Sequence, residues 1–170
     1  GKQSRQVAGT LNADGTGTIS GSFLMDYRTT GGQDRYEGIT FGGNTSEEGY
    51  SFLVSAKGDD SLFHISMNDA TSTSEYSKIT EAGLNLQEND ELLFEYEIEI
   101  TLQDNVRVFD ISYWISYQDG TEEIVISQCT DWKVEDTANS YTGEDVYIYS
   151  EDDGKETGTG TGDGKTIFYP

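Results

Sequence analysis

The 170-residue chain has one cysteine, Cys129, one histidine, His64, and only 10 basic residues against 32 acidic ones. A single cysteine excludes an intrachain disulfide framework and any structural zinc site built on cysteines. His64 has no second His or Cys near it in sequence, so no metal or nucleophile pair is expected, and a surface or edge position on its strand is. The formal charge of −22 repels phosphate backbones and anionic head groups, which argues against nucleic acid and membrane as partners. No stretch approaches the roughly 20 apolar residues of a membrane-spanning helix, and the opening GKQSRQ has no signal-peptide run. The expectation is a mature or excised piece of a larger multimodular chain, secreted or held on a bacterial cell surface.

Helical periodicity is missing as well. Instead, apolar and polar residues alternate in short stretches separated by Gly, Asp, Asn, Ser and Thr. The length suits one core, so residues 1–170 are expected to form a single domain. The fold class is all-β: an antiparallel, jelly-roll-like β-sandwich of about eleven short strands. These are expected over residues 7–11, 18–27, 36–41, 50–56, 62–67, 84–86, 91–103, 106–118, 122–129, 146–149 and 166–169. Polar residues 69–77 and the Gly-, Thr- and acid-rich residues 150–165 are expected to be loops, the second of them mobile. The glycines of 154–164 miss the phosphate-binding pattern, since Gly164-Lys165-Thr166 leads into strand-like residues and not a helix.

The clearest organisation lies between Glu91 and Cys129, where Asp104-Asn105 and Asp119-Gly120 are two hairpin signals inside three alternating stretches. Two-residue turns would set Gln103 opposite Val106 and Gln118 opposite Thr121. Phe94, Tyr96, Ile98 and Ile100 then share a core face with Phe109, Ile111, Tyr113, Ile115, Ile124 and Ile126. The opposite face carries Glu95, Glu97, Glu99, Asp110, Ser112, Trp114, Ser116, Glu123, Val125, Ser127 and Cys129.

Trp114 is the one large aromatic on that polar face. An indole among carboxylates and hydroxyls suits a sugar, because the ring covers the apolar C–H face while the neighbours bond its hydroxyls. The candidate carbohydrate-binding residues are Trp114, Glu95, Glu97, Ser112 and Ser127, joined by Trp132, which would either rim the site or plug the end of the core. If a loop or a second sheet covers this face, Trp114 is instead a core residue. Tyr147 and Tyr149 share one face of their strand and form either a second aromatic platform or simple edge packing.

The run Glu95-Tyr96-Glu97-Ile98-Glu99 resembles the E-x-D-x-E strand motif of the jelly-roll glycoside hydrolases that cleave laminarin and related β-glucans. That resemblance implies Glu95 as nucleophile and Glu99 as acid/base, with Glu97 standing where that family has Asp. Retaining hydrolysis needs carboxyls roughly 5–5.5 Å apart, whereas residues two apart on a strand are separated by roughly 6.5–7 Å. The expectation is therefore no catalytic residue and a solvated acidic face.

Acidic turns such as Asn12-Ala13-Asp14-Gly15-Thr16 and Glu151-Asp152-Asp153-Gly154 suit a hard cation, but neither completes a calcium loop, and a type I′ hairpin turn accounts for the first. No cofactor is required; a structural calcium held by separate loops is left open.

In general character the chain resembles the β-sandwich carbohydrate-binding modules of fibre-degrading gut bacteria. What this implies is a non-catalytic module of a glycoside hydrolase or surface scaffold, binding a plant glucan, mannan, xylan or pectin. The alternative is a structural or adhesive β-domain of a bacterial surface protein, for which both tryptophans would be buried.

Overall fold

Alternation turns into strand along most of the chain. A computed structural model describes residues 2–6, 11–27, 35–43, 48–56, 63–68, 77–79, 86–87, 90–152 and 166–169. Among these there is no helix, and the strands are β1 (Lys2–Gln6), β2 (Gly17–Asp26), β3 (Arg35–Gly42), β4 (Gly49–Ala56), β5 (Phe63–Asn68), β6 (Ser77–Ile79), β7 (Glu91–Gln103), β8 (Val106–Asp119), β9 (Glu122–Asp136), β10 (Val146–Asp152) and β11 (Thr166–Tyr169). They form two antiparallel sheets, one ordered β1-β10-β3-β4-β5-β6 and the other β11-β2-β7-β8-β9.

The sheets stack as a β-sandwich through one continuous cluster of buried side chains. Phe52 of β4 meets Tyr96 of β7 with ring centroids 5.5 Å apart, and Phe109 of β8 lies edge-on to Tyr50 of β4 at 4.7 Å and to Phe41 of β3 at 5.9 Å. Each such ring taken out of water contributes on the order of 1.5–3 kcal/mol. The expected core face of β7 and β8 is buried throughout, from Phe94 to Ile100 and from Phe109 to Ile115 at every second residue.

The strands are not uniformly short: β2 spans 10 residues and β7, β8 and β9 span 13, 14 and 15. Nor does the first strand fall at 7–11. It is the polar Lys2–Gln6, whose backbone pairs with β10 at the edge of the six-stranded sheet, where main-chain pairing needs no hydrophobic period. Residues 7–10 lie outside the described residues, and Leu11 is in a loop, its amide donating to the Glu144 carbonyl. The strand expected at 84–86 is absent at Leu86, with 84–85 outside the described residues, while Ser77, expected in a loop, begins β6. The expected loop 150–165 starts later, since β10 continues to Asp152; residues 153–165 lie outside the described residues. His64 sits on β5 between Ser55 of β4 and Lys78 of β6, which is not an edge strand.

The hairpins explain where the register of β9 departs from expectation. Asp104 and Asn105, both at positive φ (53° and 66°), make the type I′ pattern, and β7 and β8 pair as counted, with Gln103 opposite Val106. At the next turn the central pair is Gly120-Thr121, so Asp119 faces Glu122. Gly120 takes φ +68° at the first central position, where a type II′ turn calls for glycine. Two register shifts follow along β9. The first leaves Ile126 extra between the pairs Ser116–Val125 and Ile115–Ser127. The second sets Ser112 against Thr130 and Asp131 between the pairs Tyr113–Cys129 and Ile111–Trp132. Each extra residue moves the following side chains to the other face of the sheet.

Candidate functional site

The outer face of the five-stranded sheet presents side chains in rows across β2, β7, β8 and β9. Reading the registers gives Leu24, Leu93, Ser116 and Val125; then Ser22, Glu95, Trp114 and Gln128; then Ser20, Glu97 and Ser112; then Thr18, Glu99, Asp110 and Lys133. Trp114 is half-buried beside the exposed Glu95, its direct cross-strand partner, and the exposed Glu97 and Glu99 continue the line. Glu97 faces Ser112, whose Oγ donates to the Thr130 carbonyl at 3.3 Å. The only cation among these rows, Lys133, stands 4.0 Å from Asp110 at the surface. Beside the carboxylates the first row is apolar: Leu24 and Leu93 are half-buried and Val125 is 51% exposed.

Four of the six expected binding residues therefore share one face: Trp114, Glu95, Glu97 and Ser112. Ser127 and Trp132 do not share it: the first bulge carries Ser127 across, and the second returns the strand to its original alternation, which sets Trp132 on the core side. Ser127 pairs with the core residue Ile115, and Gln128 takes the place beside Trp114. Cys129, expected on the polar face, likewise pairs with Tyr113 and packs against the core. Trp132 is buried, edge-on to Tyr113 at 6.4 Å, and its Nε1 finds no acceptor among the described residues. On the other sheet, Tyr147 and Tyr149 are half-buried on the outer face, opposite Thr40 and Gly38.

A second constellation, which sequence reasoning missed, lies at the end of the sandwich where β8 begins and β9 ends. Arg107 and Asp136 are cross-strand partners, both almost fully buried. The Asp136 carboxylate accepts the Tyr50 hydroxyl at 2.6 Å and the backbone amides of Ala138 and Ser140 at 3.1 and 3.0 Å. Burial alone would raise its pKa, but the bonds from Ser140, Tyr50 and Ala138 outweigh it and hold the carboxyl below the usual value. The same Tyr50 hydroxyl accepts the Tyr141 amide at 3.2 Å, and burial followed by the bond to Asp136 pushes its pKa far up. Arg107 reaches outward, its Nε donating to Asn139 Oδ1 at 2.7 Å and its Nη2 to the Asp14 carbonyl at 2.8 Å. Asn139 takes φ +49°, a conformation that asparagine tolerates.

This network fixes loops 12–16 and 137–145 over the end of the core. With Gly42, Gly43 and Glu48 they bound a cleft of about 610 Å³. The Gly143 amide donates to the Gly42 carbonyl at 2.8 Å across its base.

Comparison with family models, with curated proteins and with solved structures finds no match.

No group of three or more His, Cys, Asp or Glu side chains converges as a metal site would require among the described residues. In the 12–16 turn the Asp14 carboxylate is taken up locally, accepting the Thr16 hydroxyl at 2.6 Å and its amide at 3.1 Å, which lowers its pKa. That turn is also not type I′: Gly15 alone has positive φ (77°), after an Asn12 carbonyl to Gly15 amide bond, so it is a type I turn closed by a left-handed glycine. In the other acidic turn Glu151 and Asp152 belong to β10, and Asp153-Gly154 lies outside the described residues.

Proposed function

We propose that the domain is a non-catalytic carbohydrate-binding unit that lays a plant cell-wall polysaccharide across the outer face of its five-stranded sheet. The observation that carries this reading is the position of Trp114: half-exposed, on the side away from the core, with Glu95 directly across and hydroxyl and amide side chains in the adjoining positions. The indole covers the C–H face of a sugar, while Glu95, Glu97, Gln128 and Ser112 exchange hydrogen bonds with its hydroxyls. One stacked ring contributes on the order of 1–2 kcal/mol, so a single platform binds weakly and neighbouring modules of a longer secreted or surface-attached chain supply avidity. With Glu95, Glu97, Glu99 and Asp110 on the face and one lysine against them, neutral glucans, mannans or xylans fit better than polyuronate pectins.

Catalysis is the weaker reading. Glu95 and Glu99 are four residues apart along one strand, on the order of 13 Å at the backbone, against the 5–5.5 Å of a retaining pair. The structural or adhesive alternative draws support from the apolar row of Leu24, Leu93 and Val125 beside Trp114, which would suit a protein surface.

The test is calorimetric titration of the wild type and of Trp114→Ala with soluble glucans, mannans, xylans and pectins, folding being checked by circular dichroism. Saturable binding to a neutral glycan that disappears in the folded variant supports the reading. No heat with any glycan, or binding unchanged in Trp114→Ala, removes it.

A further inference from the structure

We propose that the cleft at the loop end of the sandwich is a second binding site, for a neutral polyhydroxylated ligand of about one or two sugar rings. Its volume of about 610 Å³ falls in the range of small-molecule sites. Among the described residues its lining is polar and holds no Lys, Arg or His: Glu48, Glu144 and Asp145 supply carboxylates, the last also accepting the Tyr147 hydroxyl at 3.5 Å, Ser140 and Thr142 supply hydroxyls, and Tyr141 supplies a ring. Carboxylates that do not converge on a single ion suit a ligand whose hydroxyl donors are spread over a ring, since Glu48 and Glu144 can accept from different hydroxyls.

The cleft is also built in advance. Its base is glycine because nothing larger fits. A Cβ on Gly43 would come within 2.3 Å of the Glu48 carbonyl oxygen, and one on Gly143 within 2.9 Å of that of Gly42. The Tyr141 ring is held at right angles to the buried Tyr50, centroids 5.1 Å apart, and the Tyr141 amide is bonded to the Tyr50 hydroxyl. Asp136 pins Ala138 and Ser140, and Arg107 ties both flanking loops to the core. Loops braced in this way present the cleft already ordered, and order present before binding need not be created by it.

This site stands on its own chemistry and does not depend on the Trp114 face, from which it is separated by roughly 23 Å of β8 between Arg107 and Trp114 at 3.3 Å per residue.

The experiment is an amide-resolved NMR titration of the whole chain with glucose, mannose, xylose and galactose and their neutral di- and trisaccharides, reading the Gly42, Gly43 and Gly143 amides. The Trp114 indole N–H is read in parallel. The expected result is saturable movement of the three glycine signals with at least one sugar, retained in Trp114→Ala. Thr142→Tyr, which fills the cleft from an exposed position, should abolish it, and Glu48→Gln should weaken it about tenfold. Glycine signals silent to every sugar in the folded protein would overturn the proposal. So would movement that survives Thr142→Tyr, or that is produced by calcium chloride or methylammonium and by no sugar. Loss of the indole response alone would count against the sheet-face reading and leave this site standing.

Discussion

The Tyr50 hydroxyl donates to Asp136 Oδ2 at 2.6 Å, tying β4 of one sheet to the end of β9 in the other through a buried contact. Tyr50 and Asp136 are both fully buried, and the same hydroxyl also accepts the Tyr141 amide. Removing that oxygen in Tyr50→Phe keeps the ring packing on Phe109 and Phe41 but leaves a buried carboxylate one donor short and a backbone amide without its acceptor. The expected loss is about 2–3 kcal/mol, read as a lower urea midpoint with an unchanged slope. A loss below about 0.5 kcal/mol would mean that water replaces the hydroxyl and that the network does not brace the loops.

Acid should reach the same network through Asp136. Its folded pKa lies below the ordinary value of 3.8, because the Ser140, Tyr50 and Ala138 donors prevail over burial. A depressed carboxyl contributes stability that is present above the unfolded pKa and lost as pH falls through the folded one. Asp136→Asn is therefore expected to be less stable than wild type at pH 7 by about 1.5–3 kcal/mol, with the gap closing below about pH 4. The comparison must be between the two proteins, because acidification also relieves the self-repulsion of a chain with formal charge −22. A gap that stays constant from pH 7 to pH 2.5 would show that Asp136 acts through shape and not through its charge.

The sandwich and the face carrying Trp114 were legible in the sequence because β7 and β8 alternate without interruption and meet at a turn whose two residues both accept positive φ. The pairing of Glu95 with Trp114 follows from that turn by counting. What could not be counted was β9. Alternation in Ile124-Val125-Ile126 has the right period on either side of a bulge, and nothing in the side chains marks the residue that will be left unpaired. The first insertion sent Ser127 and Cys129 to the core side, and the second restored the original alternation, which sets Trp132 there as well. The Tyr50–Asp136–Arg107 network was invisible for a different reason: its members are 29 to 86 residues apart, Arg107 and Asp136 meeting through the shifted register of β9 and Tyr50 reaching Asp136 only through the stacking of the sheets.

Gly38 tests how tightly β3 and β4 are held. A Cβ there would sit 1.9 Å from the Phe52 carbonyl oxygen and 3.0 Å from Leu53 Cα, both of them backbone of the paired strand, which cannot swing aside. Gly38→Ala is expected to cost about 3 kcal/mol. Gly120→Ala provides the contrast: nothing lies within 4 Å of the added carbon, and only the left-handed backbone at φ +68° is penalised, by about 1–2 kcal/mol. Equal costs at the two positions in thermal or urea unfolding would mean that β3 and β4 separate readily.

The two tryptophans should divide stability and recognition between them. Trp132 is buried against Tyr113 with its Nε1 unmatched among the described residues. Trp132→Phe gives up volume but also removes a buried donor, and these partly offset to a net cost below about 1.5 kcal/mol. Trp132→Ala leaves a cavity and should cost about 3–5 kcal/mol. Trp114 opens to solvent on the far side of the sheet, so Trp114→Ala should cost less than about 1 kcal/mol and remove the more acrylamide-accessible part of the fluorescence. If Trp114→Ala instead destabilises the fold as much as Trp132→Ala, the indole is held by the protein and not offered to a ligand. The outer face would then have no aromatic platform, and the apolar row of Leu24, Leu93 and Val125 would make a protein partner the better reading.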